Sequence, residues 1–305
     1  MIMRFLVASW ILSAAFAALA QGPERLVYYS DYFSFIGEDA QGKVAFALDT
    51  NRGQDGEEFL AEHFVVLHDE RKGWVRLSGN GKYPNPAGVL AAIPDSKDFA
   101  FQGSAEKGMT VKSSTNRIEL EAAPIPKVLE RRQESATYWL GSAAATLRWD
   151  ARTVPGRVIY EYLHRPGYNR LSRTYFGQWR DFHGLYLRIE GGGDFYLHRR
   201  DPGDEEPLTG SLLGFMVFDS RSGVVRELSI DVAGRSHALG FYRWPQAWRG
   251  SFQLGGETYR FELTLTERDV VRNWVIGGFS MGIARGELRR GGEVRKLYGL
   301  AELIL

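Results

Sequence analysis

The sequence predicts an all-β protein made of two barrel-sized parts. Three observations carry this. Aromatics make up 13 % of the 305 residues and glycines number 35, a mix that suits strands and tight turns. Short apolar-polar runs recur along the chain, separated by Gly, Pro, Asn and Asp clusters. A strand–turn–strand pattern also occurs twice. His63–Leu77 and His183–Leu197 align without a gap, placing His63 on His183, Leu67 on Leu187, Gly73 on Gly193 and Leu77 on Leu197.

The chain opens with Arg4, an apolar run from Phe5 to Ala18, and a small-x-small site, Ala18-Leu19-Ala20, before Gln21. This reads as a signal peptide over residues 1–20. The run is shorter than the roughly 20 residues a spanning helix needs, so cleavage and export to the periplasm or medium are expected, with no integral membrane segment in the mature chain. Cysteine is absent, so no disulfide supports the fold, which suits a periplasmic protein. Lys and Arg number 38 against 37 Asp and Glu, which gives no support for a nucleic-acid partner.

Strands are expected at Leu26–Phe35 and Lys43–Asp49, with a turn-rich loop at Asn51–Gly56. Phe59–His68 and Trp74–Ser78 form a hairpin. Phe99–Gly103, Met109–Ser113 and Ile118–Ala122 have meander spacing. Ala136–Leu140, Thr146–Trp149 and Arg157–His164 lead to a break at Arg165-Pro166-Gly167, where the domain boundary is placed. Strands then follow at Arg170–Trp179, Leu185–Glu190, Phe195–Arg199, Gly214–Phe218 and Val224–Val232. The last are Ala238–Tyr242, Ser251–Leu254, Thr258–Thr266, Phe279–Glu287 and Lys296–Leu305.

In Thr258–Thr266, Tyr259, Phe261, Leu263 and Leu265 share one face and Arg260, Glu262, Thr264 and Thr266 the other. That period of two marks a half-buried antiparallel strand. Charges at mid-strand argue against an outer-membrane barrel, whose outer face is apolar.

Three patches carry a family resemblance: Glu62–Asp69, Arg173–Arg200 with Trp179 and its glycine turn, and Gly286 with Tyr298–Leu303. With these the chain resembles the carotenoid 1,2-hydratase (hydroxyneurosporene synthase) and AttH-like superfamily. The resemblance implies two tandem lipocalin-like antiparallel β-barrels, residues 21–166 and 167–305. Some members of that family hydrate or cyclise terpenoid and polyketide substrates. Phe59-Leu60-Ala61 stand where the family often carries aromatics, and no catalytic role is carried over.

The candidate catalytic residues are Asp31, His63 and His183. Both histidines fall on apolar, inward strand faces, where each is either an acid–base group or a neutral histidine bonded to a carbonyl. Asp31 shares its face with Val27, Tyr29, Phe33 and Phe35. Such a carboxyl is either protonated, as proton donation to an alkene requires, or ion-paired, with Arg173 or Arg157 as partner. Candidate ligand-binding residues are Tyr29, Phe33, Tyr175, Trp179, Trp244 and Trp248; the last two, around Pro245, form either a stacking platform or a barrel plug.

Asn51–Glu62 partly mimics a calcium loop, but its third position is Gly and a hairpin turn is the better reading. No zinc spacing, G-x-S-x-G elbow or G-x-G-x-x-G turn occurs, so neither metal nor cofactor is expected. The leading function is binding of an apolar or amphipathic small molecule (lipid, terpenoid or polyene) in or between the barrels. The alternatives are a hydratase, cyclase or isomerase acting by proton transfer, and a carbohydrate-binding envelope protein.

Overall fold

The computed structural model describes residues 27–55, 58–85, 90–166, 181–200, 208–238, 242–274 and 277–304. Among them every regular element is a β-strand. The first sheet contains β1 (Val27–Asp39), β2 (Gly42–Asp55), β3 (Glu58–Asp69), β4 (Gly73–Val75), β5 (Gly81–Pro84) and β6 (Ala100–Ser104). It continues with β7 (Gly108–Ser113), β8 (Ile118–Ala122), β9 (Lys127–Gln133), β10 (Ala136–Trp149) and β11 (Arg152–Pro166). The second contains β12 (Phe182–Ile189), β13 (Gly193–Arg199), β14 (Leu212–Phe218), β15 (Arg221–Val224) and β16 (Arg226–Ala238). Then come β17 (Tyr242–Leu254), β18 (Glu257–Trp274), β19 (Gly277–Arg290) and β20 (Glu293–Ile304).

The order is β4-β3-β2-β1-β11-β10-β8-β7-β6 in one sheet and β15-β14-β13-β12-β20-β19-β18-β17-β16 in the other. Both are antiparallel and curl into half-barrels, the tandem lipocalin-like fold that the sequence predicts. The duplication lies in this order, with β1 matching β12 and β3 matching β14. The gapless match of His63 to His183 is therefore out of phase, because it lays β3 on β12. Two strand–turn–strand units share a pattern whichever strands they are.

Four local expectations are corrected. The loop expected at Asn51–Gly56 is strand through Asp55, with Asn51 opposite Glu62 across β2–β3. Ala136–Leu140 and Thr146–Trp149 are one strand, β10. Its Gly-Ser-Ala-Ala-Ala middle has low strand propensity, but Gly141 is where β10 shifts register against β9. A Cβ on Gly141 would sit 2.2 Å from the Pro126 carbonyl oxygen. Val224–Val232 is divided between β15 and β16 at Val225, whose amide bonds the Gly214 carbonyl. Ala238 and Tyr242 face each other as the last residue of β16 and the first of β17, not as one strand. Of the boundary expected at Arg165-Pro166-Gly167, Arg165 and Pro166 are the last residues of β11, and Gly167, like the strand expected at Arg170–Trp179, lies outside the described residues.

Each half-barrel has its own interior. Phe33, Phe35, Phe46 and Leu48 belong to the first, and Leu187, Phe195, Trp248 and Phe261 to the second. A third core joins the outer faces of the two sheets, with Tyr32, Ile36 and Phe64 against Tyr186, Phe279 and Leu300. Tyr32 stacks on Tyr186 at 4.7 Å. Alternate residues of β1 thus fill two cores, so both faces are apolar. On β18, by contrast, Arg260, Glu262 and Thr264 face water. Polar links also cross the seam: His68 Nε2 to Glu267 at 2.7 Å, Arg285 to Glu70 at 2.9 Å, and Arg157 to Asp194.

Candidate functional site

Pairing places Trp139, Tyr162, Asp31, Thr50 and His63 in one row across β10, β11, β1, β2 and β3. The next row carries His164, Tyr29 and Arg52. Above them opens a cavity of about 580 Å³ at the mouth of the first half-barrel. Asp31 lies in its floor, Trp139, Tyr160, Tyr162 and Phe101 form its walls, and Lys127 and Arg132 stand at its rim.

Asp31 is ion-paired, with neither of the expected partners. Arg52 Nη2 donates to Asp31 Oδ2 at 2.6 Å, and the Tyr160 hydroxyl donates to Oδ1. Arg52 is fully buried, and it also donates to the Thr50 hydroxyl at 3.0 Å and to the Leu90 carbonyl at 2.8 Å. Arg157 serves Asp194 instead, and Arg173 lies outside the described residues. Sequence spacing missed Arg52 because it sits diagonally across the ladder, opposite Tyr29. Burial and the adjoining carboxylate push the Tyr160 phenol well above its usual value.

His63 is fully buried among Tyr83, Phe99 and Phe101, and neither ring nitrogen has a partner. Burial, aided by the Arg52 charge, lowers it to about 4, so at neutral pH it is uncharged. The carbonyl bond expected for it is absent. His183 is buried but satisfied: Trp248 Nε1 donates to its Nδ1 at 3.1 Å, and its Nε2 meets Asp181 at 3.0 Å. Asp181 is also held by Arg199 and Arg235.

Tyr29 stacks on His164 at 4.3 Å and carries the Arg52 guanidinium on its ring. Phe33 is fully buried one row below Asp31, against Tyr160. Trp244 and Trp248 lie inside the second half-barrel, on the unbroken strand β17. They therefore form the barrel plug and not a surface platform. Pro245 is accommodated where the β16–β17 register shifts. Tyr175 and Trp179 lie outside the described residues.

A second polar cluster lies in the seam. On β11, Glu161 projects outward, away from Asp31. The Tyr186 hydroxyl donates to its Oε2 at 2.9 Å, and the Tyr196 hydroxyl lies 3.3 Å from that oxygen and 3.1 Å from His198 Nδ1. Burial raises the Glu161 carboxyl above its ordinary value. Burial first, then nearby carboxylates, holds the Tyr32, Tyr138 and Tyr186 phenols well above theirs; burial, aided by the Arg200 charge, keeps His198 neutral. A hydrogen-bonded carboxyl with an elevated pKa is the kind that can donate a proton. The signal in the sequence was one acid between Ile159 and Leu163. Its face reads as solvent-facing until the second sheet is in place.

The fold is similar to that of solved AttH-like, lipocalin-fold proteins. An AttH-like protein of Nitrosomonas europaea matches 91 % of this chain and 92 % of its own, with a TM-score of 0.59 at 14 % identity. CghA matches 92 % and 88 % at 0.52 and 12 %, and has also been solved with Sch210972. Kievitone hydratase from Nectria haematococca matches 90 % and 88 % at 0.54 and 9 %. No family model and no curated protein matches the sequence.

Proposed function

We propose that this protein binds an apolar or amphipathic small molecule, such as a lipid, terpenoid or polyene, in the mouth of the first half-barrel. The observation that carries this is the cavity of about 580 Å³, with aromatic walls over the Asp31 floor and a charged rim. Its size and lining suit a small ligand, the rim taking a polar end. CghA, solved with Sch210972, is a protein of the same fold studied with a small molecule. Export through cleavage after Ala20 belongs to this reading, and N-terminal sequencing of the mature protein should begin near Gln21.

The test is native mass spectrometry of the protein from its own periplasm, followed by titration of the emptied protein with retinol, a neutral polyene, read by tryptophan quenching. A co-purifying apolar molecule and saturable quenching, both reduced in Ile93→Asp, support the reading. No retained molecule and no quenching would end it.

A second reading, a hydratase, cyclase or isomerase, is favoured by Glu161. Its raised carboxyl would donate the first proton to an alkene, with Tyr186 and Tyr196 stabilising the carboxylate left behind. Glu161→Gln keeps the shape and removes the proton. Turnover of a terpenoid alkene that survives in this variant would exclude Glu161 as the acid.

A further inference from the structure

At the other end of the first half-barrel, the β1–β2 hairpin and β11 meet the β12–β13 hairpin and β20 around a cavity of about 530 Å³. It shares no lining residue with the mouth cavity. Lys43, Arg188 and Lys296 line it together with apolar Ile36, Ile189 and Leu297.

Arg188 is the informative residue. Its carboxylate neighbour, Asp194, is buried and already accepts from Ser142 Oγ and Arg157 Nε. Arg188 Nη1 stands farther off, 3.5 Å from Asp194 and 3.5 Å from the Gly193 carbonyl. One carboxylate between two guanidiniums leaves a net positive charge, and the looser cation is the one lining the cavity. Burial, with the charge of Arg157, lowers the Arg188 guanidinium from its ordinary value, as expected of an under-compensated cation. Lys43 has a loose partner in Glu38 at 3.5 Å, while Lys296 is paired with Glu287 at 2.5 Å.

We propose that this groove binds an amphipathic anion, one carboxylate or phosphate on an apolar body, with Arg188 and Lys43 on the anionic group and Ile36, Ile189 and Leu297 on the body. A guanidinium matches either anion in geometry. Glu38 and Glu190, which also line the groove, disfavour a multiply charged ligand.

Calorimetric titration of the full chain with laurate, dodecyl phosphate and dodecanol tests this. The two anions should bind, and dodecanol should bind about tenfold more weakly, the scale of one charge-assisted hydrogen bond. A preference between the two anions separates a carboxylate from a phosphate ligand. Arg188→Gln should weaken laurate by about tenfold or more, and Arg188→Lys should recover most of the loss. Lys43→Gln, at a partly exposed side chain, keeps the test open should Arg188→Gln fail to fold, and should also weaken laurate. Ile93→Asp, in the mouth cavity, removes any laurate held there and should leave the Arg188-dependent part of laurate binding unchanged, which separates this proposal from that for the mouth. Absence of laurate binding, equal binding of dodecanol, wild-type affinity in Arg188→Gln and Lys43→Gln, or a loss confined to Ile93→Asp would each overturn the proposal.

Discussion

Arg52 and Asp31 lie diagonally across the β1–β2 ladder and close an ion pair at 2.6 Å, with the guanidinium fully buried. The pair does more than neutralise charge. Through the Leu90 carbonyl, Arg52 also ties Leu90, and so the neighbouring Ala91–Ile93 of the cavity wall, to the barrel strands.

Asp31→Asn leaves that guanidinium buried without a counter-charge. The expected loss of stability is about 3–5 kcal/mol, measured by urea denaturation at pH 7. A loss below about 1.5 kcal/mol, the net worth of an ordinary hydrogen bond, would mean that the pair does not anchor the site.

His63 makes stability fall as the solution is acidified. Between the unfolded value of 6.5 and the folded value of about 4, the unfolded chain binds a proton that the folded chain refuses. Stability therefore drops as pH is lowered through this window, by on the order of 3 kcal/mol in full. His63→Leu should flatten that slope in urea midpoints taken from pH 7 to 4. An unchanged slope would show that His63 is hydrated in solution.

Glu161 acts in the opposite sense. Its folded value is raised above 4.5, so above pH 4.5 the folded chain holds a proton that the unfolded chain has lost. Stability then falls as pH rises through the folded value. Glu161→Gln should remove this decline and be at least as stable as wild type at neutral pH. Denaturation across pH 4.5 to 8 decides it; a Gln variant less stable than wild type at pH 8 would show that the carboxylate is stabilising.

Gly141→Ala should lose about 1–3 kcal/mol through overpacking, because the new Cβ would meet the Pro126 carbonyl oxygen at 2.2 Å. Wild-type thermal stability in this variant would mean that β9 can shift away from β10 at little cost.

Much of the fold was legible in the sequence because a period of two reports strand and face directly. On β18, Tyr259, Phe261 and Leu263 are buried while Arg260 and Glu262 are exposed, as the alternation predicts. The inward placement of His63 with Val65 and Leu67 was legible for the same reason. The candidate site was legible only in part. Asp31 could be recognised as a misplaced charge, but its partner could not, since ladder register decides which cation lies diagonal to it. Phe33 and Tyr29 share a face, yet one lies beneath the floor of the cavity and the other is half-buried in the next row.

By itself the sequence determined the strand content and the inward faces, both consequences of local alternation and turn chemistry; the order of strands in the two sheets, and not the His63–His183 match, carries the doubling. Only the tertiary structure decided what the outward faces meet. On β11 the outward Glu161 would have been an ordinary solvated acid on a single barrel. The second sheet, packed on Tyr32 and Ile36, leaves it only partly exposed and sets the Tyr186 and Tyr196 phenols against it. Desolvation depends on what lies across a surface, and here that is the other sheet, whose Tyr186 and Tyr196 come 25 and 35 residues after Glu161 in the chain.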